Sequence, residues 1–349
     1  MKKILHLLAG VLVAALFIWL SLRDADLSEL ARQLGGIRYG WLLPFLGIVL
    51  LGNYLRAERW KMVLDDESGL SHSRLQLFTG LMYGLTANVV VPRAGEFLRA
   101  LYVSRHTGME TSRLFGTIVL ERVLDMLMML IMLLVTVILL ITDSRLLEQV
   151  FGREGAAYIG LLTSATGLTV IGLTILTGFG LLWYLRVRAD KNPDKKTEAA
   201  DESKITSLIK GFLRGVVAVR NLKNWPLFVV YTILIWLGYV AMSLLPFYAF
   251  DFHITYDFGW IQAFVITVVG AVGVTLPSPG GIGTYHYLVQ QGLFYLYGVP
   301  MMTALGYATV NHLANLFGIL LIAAGLFVVN QRLIVGKPGT KIPFSELFR

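Results

Sequence analysis

Apolar positions along the chain gather in long runs separated by short polar connections. About six of these runs are long enough to cross roughly 30 Å of hydrocarbon at about 1.5 Å per helical residue. They cover residues 4–22, 41–57, 114–141, 158–185, 227–250 and 301–329. Two further runs are apolar but broken. Residues 75–103 are interrupted at Asn88 and at Pro92-Arg93-Ala94-Gly95-Glu96, and residues 260–297 at Pro277-Ser278-Pro279-Gly280-Gly281-Ile282-Gly283. A break in mid-run strands backbone donors and acceptors in lipid unless protein or a wet cavity receives them. Each broken run therefore predicts a re-entrant hairpin of two half-helices, with a pair of kinked full spans as the open alternative. The fold class expected is an all-α polytopic membrane protein.

Charge placement orients this scheme. With Lys2 and Lys3 in the cytoplasm, the loop expected after the second span places Arg59, Lys61 and Arg74 inside. The polar linker over 187–223 also falls inside, as does the basic tail over 331–349. The external loops are then 23–40, 142–157 and 251–259, the last with Asp251 and Asp257 but no Lys or Arg. Each half has an odd number of crossings, so half-repeats over about 1–145 and 155–330 are related by inversion, a recurrent transporter layout. The expectation is one transmembrane domain over 1–349, multi-pass in a bacterial inner (plasma) membrane, with both termini cytoplasmic.

Composition agrees. Of 349 residues, 56% are hydrophobic and 15% charged, with a mean hydropathy of +0.68; soluble domains carry about a quarter charged residues. The net charge of +8 sits beside apolar segments, where the positive-inside rule and anionic headgroups account for it without nucleic acid as a partner. With no cysteine, disulfides, thiolate metal sites and cysteine nucleophiles are excluded. The first apolar run lacks a small-residue cleavage site and reads as a retained helix.

Four clusters carry candidate chemistry. Asn88, Pro92, Arg93, Gly95, Glu96 and Arg99 surround the first break, where a helix starting after Gly95 would aim free N–H groups at an anion. Arg93 and Arg99 could add charge-assisted bonds to a phosphate; the plainer alternative is that they reach the cytoplasmic headgroups. Glu121, Arg122 and Asp125 sit inside an apolar run, with Glu121 and Asp125 four apart on one helix face and Arg122 three before Asp125, so that those two can also meet. They form either a structural ion-pair network with Glu96 or Arg99, or a headgroup site in which Arg122 holds phosphate and Glu121 or Asp125 carries a proton. At the second break, Gly280, Gly281 and Gly283 permit close backbone approach beside Tyr285 and His286, or simply tight helix packing. Asn311, His312 and Asn315 on the last span are candidates for a relay or for satisfied structural positions.

The series Asn88…Pro92-Arg93-Ala94-Gly95-Glu96-Phe97-Leu98-Arg99, Glu121-Arg122-Val123-Leu124-Asp125, Pro279-Gly280-Gly281-Ile282-Gly283 and His312 resembles the lysylphosphatidylglycerol synthase transmembrane region, also called the flippase-like or UPF0104 family, over roughly residues 5–330. That resemblance implies movement of an aminoacylated or other phosphate-bearing lipid, with members linked to polyprenyl-phosphate or glycolipid handling. Relatives often carry Glu where this chain has His286. With the sequence ending at Arg349, no aminoacyl-transferase domain and no synthesis of lysyl-lipid are expected.

The leading functional expectation is a flippase moving an anionic phospholipid or polyprenyl phosphate between leaflets. No Walker A pattern is present, so lipid gradient or proton motive force remain as drives. No cofactor, metal or catalytic residue is expected. A membrane-embedded lipid transferase is the enzymatic alternative, for which Asp65-Asp66 is an adjacent acidic pair, in an expected loop. A non-transporting partner of an envelope synthase is the third. Association with a second copy or with an envelope-synthesis protein stays open.

Overall fold

The computed structural model describes residues 2–23, 26–69, 71–91, 94–142 and 222–335. The expected span at 158–185, most of the linker, Pro92 and the candidate Arg93 lie outside them. The chain divides into two compact units, residues 1–130 with 208–349, and residues 131–207; of the second, only the end of one helix is described. Everything below concerns the first.

The described residues form helices and no strand. In order they are α1 (Lys2–Leu22), α2 (Leu27–Gly35), α3 (Leu42–Ser68), α4 (Arg74–Val90), α5 (Ala94–Thr107), α6 (Thr111–Thr142), α7 (Trp225–Ala249), α8 (Phe252–Thr255), α9 (Trp260–Thr275), α10 (Thr284–Tyr297) and α11 (Met301–Val335). Among them, four stretches are long and apolar enough to cross a membrane: Tyr39–Asp66, Thr111–Leu140, Trp225–Ala249 and Met301–Asn330.

Two sequence expectations need correction. The second span does not end near Ala57. Helix α3 continues to Ser68 and stops at Gly69, whose left-handed φ of 70° lets its N–H close on Asp65 O. Arg59, Lys61, Asp65 and Asp66 are thus helical rather than in a loop. The acidic pair is engaged: Asp65 with Lys61 and with His72 Nδ1 (2.7 Å), Asp66 with the backbone N–H of Lys223 (2.9 Å). The external loop over 23–40, in turn, contains α2. Asp26 caps it by accepting from the N–H groups of Ser28 and Glu29, and it packs on α11, where Gly306 lies close to Leu30 and Gln33.

Both broken runs fold as helical hairpins, α4–α5 and α9–α10. Missing side chains allow the close approach. A Cβ on Gly95 would sit 1.9 Å from Gly84 O, and one on Gly273 would sit 2.8 Å from Tyr285 Cα. The turn of the second hairpin needs glycine for its backbone as well, with φ of 58° at Gly280 and 84° at Gly283.

Contacts at the ends of the helices fix how the hairpins face. Antiparallel α3 and α7 are bridged at one end by Asp66 and Lys223, and near the other by Arg38 and Asp251 (3.2 Å). The base of α4 belongs to the first end, through Arg74–Glu58 (2.7 Å) and Asn330–Thr79 (3.3 Å). The base of α9–α10 belongs to the second, where Tyr297 meets Phe258 and Phe258 meets Phe247 of α7. The two turns meet between these ends: a Cβ on Gly280 would lie 3.5 Å from Val89 Cα. Helix α1 closes over the second turn, its Ala14 carbonyl only 2.5 Å from where a Gly283 Cβ would be.

The core is built around the first hairpin. Trp41, Phe45, Val49, Phe78, Leu81, Met82 and Ala314 pack between α3, α4 and α11, while Trp60, Leu64, Leu77, Val103, Leu114 and Ile118 join α3, α4, α5 and α6. Outward faces remain apolar, with Val229, Ile233 and Leu237 on α7 and Leu313, Phe317 and Leu321 on α11 exposed. In water such faces would drive association; lipid is their natural solvent.

Candidate functional site

Charged residues converge where α3, α5 and α6 meet beside the first hairpin. Glu121, itself buried, is the hub. Its Oε1 accepts from Arg56 Nη2 at 3.0 Å, its Oε2 lies 2.8 Å from Arg99 Nη2, and Arg122 Nη2 is 3.5 Å from Oε1. One turn on, Asp125 accepts from Arg59 Nη2 at 2.8 Å, while Arg59 Nη1 reaches Thr232 on α7. Arg99 also lies over the Trp60 ring, 3.8 Å from its centroid, and the indole N–H donates to Thr117 at 2.9 Å.

Arg56, Arg59 and Arg99 are almost fully buried, and a guanidinium keeps its charge there. Their cost is offset only by direct pairing, which the i, i+3 spacing of Arg56 and Arg59 against the i, i+4 spacing of Glu121 and Asp125 supplies. Among the described residues, Arg56, Arg59, Arg99 and Arg122 face Glu96, Glu121 and Asp125, so the cluster carries one more positive charge than negative.

Arg122 differs from the other three. Its side chain is 41% exposed, beside exposed Val123 and Met126, while its Nε is buried without a hydrogen-bond partner among the described residues. Its nearest carboxylates are Glu121 at 3.5 Å and Glu96 at 3.9 Å, both longer than the other pairs. From Thr111 to Arg122 is about 16 Å along the helix axis, roughly half a hydrocarbon core.

At the first turn, Asn88 works inward. Its side-chain carbonyl accepts from Gly95 N–H at 2.7 Å, and its amide faces Glu96 at 3.3–3.4 Å. One of the free N–H groups expected at this helix start is thereby satisfied from α4, and Glu96 already occupies the first turn of α5, which begins at Ala94.

The second turn is surrounded by rings, with no carboxylate of the described residues paired to them. Tyr285 stacks on His312 (centroids 4.9 Å apart), and His286 meets His312 edge-on at 5.0 Å. Gly283 N–H donates to His286 Nδ1 at 3.4 Å. His312 Nε2 is buried without a hydrogen-bond partner among the described residues. Asn311 donates to Tyr307 Oη, which donates to Ser243 O. Gly281 faces His312, and Gly280 faces Val89, the residue after Asn88, so a short chain of contacts joins both turns. Asn315 is half-buried on the same helix.

A family model for the lysylphosphatidylglycerol synthase TM region matches residues 7–323. The chain belongs to this family. It is also similar to a UPF0104 membrane protein of Methanocaldococcus jannaschii, 23% identical over 313 residues, which cover 87% of this chain and 89% of the relative. No solved structure matches. Membership makes this a membrane protein and agrees with its apolar outer faces. Within the family fold, the residues that sequence reasoning missed are Arg56, Arg59 and Trp60. The signal was present as an i, i+3 arginine pair, but the dense charges from Arg56 to Lys61 suggested the end of a span.

Proposed function

We propose that this protein moves an anionic, phosphate-bearing lipid, a phospholipid or a polyprenyl phosphate, between leaflets. The observation that carries the reading is Arg122: a side chain 41% exposed beside apolar Val123 and Met126 of α6, its Nε buried without a hydrogen-bond partner among the described residues, backed by a buried cluster with a surplus positive charge. An arginine at that depth is costly unless an anion or water meets it, and a lipid phosphate arriving from the side of the bundle satisfies it while the tails stay in the bilayer. Glu96 and Glu121 lie farther from Arg122 than Glu121 does from Arg56 and Arg99, and their contacts with Arg122 are the ones a phosphate would replace.

In this reading α4–α5 and α9–α10 are re-entrant hairpins of an inverted repeat, entering from opposite leaflets. The basic end carrying Lys223 and Arg74 is cytoplasmic in a plasma membrane, with both termini on that side. Passing the headgroup requires the contact of Val89 with Gly280 to open and re-form.

The test is transbilayer movement of a fluorescent phosphate-bearing lipid in proteoliposomes of the pure protein, with and without a pH gradient. Movement is expected above that of protein-free vesicles, and at least tenfold slower with Arg122→Ala. Folded, reconstituted protein that moves no phosphate-bearing lipid under either condition overturns the proposal. Movement unchanged in the variant removes Arg122 from it.

A further inference from the structure

Beside the bonds that Thr284 makes to Ser278, Gly273 O and Gly281 O, the second turn has one bond whose acceptor a proton can remove. Gly283, at φ 84°, caps α10, and its N–H donates to Nδ1 of His286, the third residue of that helix. Accepting that bond requires a neutral imidazole with its lone pair on Nδ1. A proton at Nδ1 abolishes the acceptor and places a cation at the positive end of a helix, where the macrodipole opposes it. Beside it, His312 has a buried Nε2 without a partner and a ring 5.0 Å away, so a second site for the same proton is already in contact. Two imidazolium rings this close in a poorly solvated place repel, so the pair takes one proton rather than two.

Among the described residues the surroundings offer no substitute counter-ion. Facing the rings are Tyr285 from α10 and, at His312, the backbone of Gly280 and Gly281 in the turn itself, while Asn311 of α11 is hydrogen-bonded to Tyr307. Around the turn, α1 presents Ala14 and Ile18, α9 presents Val274 and α4 presents Val89. No carboxylate among the described residues pairs with either histidine. Charge arriving here is therefore expressed as movement of the turn rather than absorbed by a partner. The turn cannot move privately, because Gly283 is pressed on the Ala14 carbonyl and Gly280 on Val89 at the tip of the first hairpin.

We infer that His286 and His312 form a proton-binding pair whose occupancy releases the Gly283 cap and separates the tips of the two hairpins. This rests on the transport reading above only for its purpose, since it would supply the coupling of lipid movement to a proton gradient; the switch itself is a property of the fold.

The chain contains no cysteine, so paired spin labels can be introduced at exposed Val91 and Thr275, one beside each tip, without a background. The full chain in nanodiscs is measured at about pH 8 and about pH 3.5, a range that extends well below ordinary imidazole titration. The inter-label distance is expected to lengthen at the lower pH. His286→Gln keeps a side-chain acceptor for Gly283 N–H but cannot take a proton. It should hold the short distance at both values, and His312→Asn should shift the midpoint of the change. No change with pH in the double-labelled parent, or an equal change in His286→Gln, overturns the inference. Lipid movement measured on the same preparations separates the two proposals. Tips that respond to pH in a protein that moves no lipid leave the switch standing and remove the transport reading. Lipid movement with tips that ignore pH does the reverse.

Discussion

At the scale of single residues, the charged cluster divides into side chains that hold the bundle and one that looks outward. Glu121 contacts Arg56, Arg99 and Arg122 at once. Removing it strands buried guanidinium groups that cannot lose their charge, and breaking such a pair costs about 3–5 kcal/mol. Glu121→Ala should therefore lower the thermal unfolding temperature in detergent strongly, with Glu121→Asp recovering part of the loss; an unchanged transition would contradict the network. Arg122→Ala should behave oppositely. Its partners are distant and its side chain half exposed, so unfolding should shift little, by under about 1 kcal/mol, while co-purified anionic lipid, read by native mass spectrometry, falls. Glu121, Arg122 and Asp125 were legible in the sequence because charges inside an apolar run are conspicuous. Arg56 and Arg59 were not, because they neighbour Glu58 and Lys61 on the same helix, and inward and outward charges look alike until the partner helix is known.

At the scale of elements, the interruption of both runs was legible, since proline and glycine clusters break a helix, and each run does fold as two packed helices. What the pattern did not show was how tightly each hairpin closes. Gly84 and Gly95 face each other so closely that any side chain on Gly95 meets the Gly84 carbonyl, which belongs to rigid helix backbone. Gly95→Ala must push α4 and α5 apart and pull Gly95 N–H from Asn88. An overpacked contact of this kind costs about 1–3 kcal/mol, and the damage should be local. The expected result is faster hydrogen exchange in α4 and α5 with α9 and α10 unchanged; uniform exchange across both hairpins would show that the tips do not act separately. Helix α2 escaped the sequence reading for another reason. It is short and amphipathic, and its cap at Asp26 is a weak signal beside the long apolar runs.

At the scale of the whole molecule, sidedness is the property that transport needs and that contacts between distant segments support. Arg38 pairs with Asp251 across 213 positions of sequence, and Lys223 with Asp66 across 157. In the proposed topology the first pair lies on the external face and the second on the cytoplasmic face. A chain of two kinked full spans in place of each hairpin would bring the base of α4 and the base of α5 to opposite faces, whereas the re-entrant hairpin proposed above would return Thr107 to the face that Arg74 left. Single cysteines in this cysteine-free chain distinguish the arrangements. Ser71 and Gly108 flank the base of the first hairpin, and Thr255 precedes the base of the second. In intact cells a membrane-impermeant maleimide should modify Thr255→Cys and leave Ser71→Cys and Gly108→Cys unlabelled, with the pattern reversing in inverted vesicles. Gly108 has a left-handed φ of 72°, so Thr107→Cys serves as its check. Modification of Ser71→Cys and Thr107→Cys from opposite faces would mean that the first broken run crosses completely. The hairpin tips would then not be dipping toward each other from opposite leaflets, and Arg122 would lose the neighbouring turn through which a headgroup is proposed to pass.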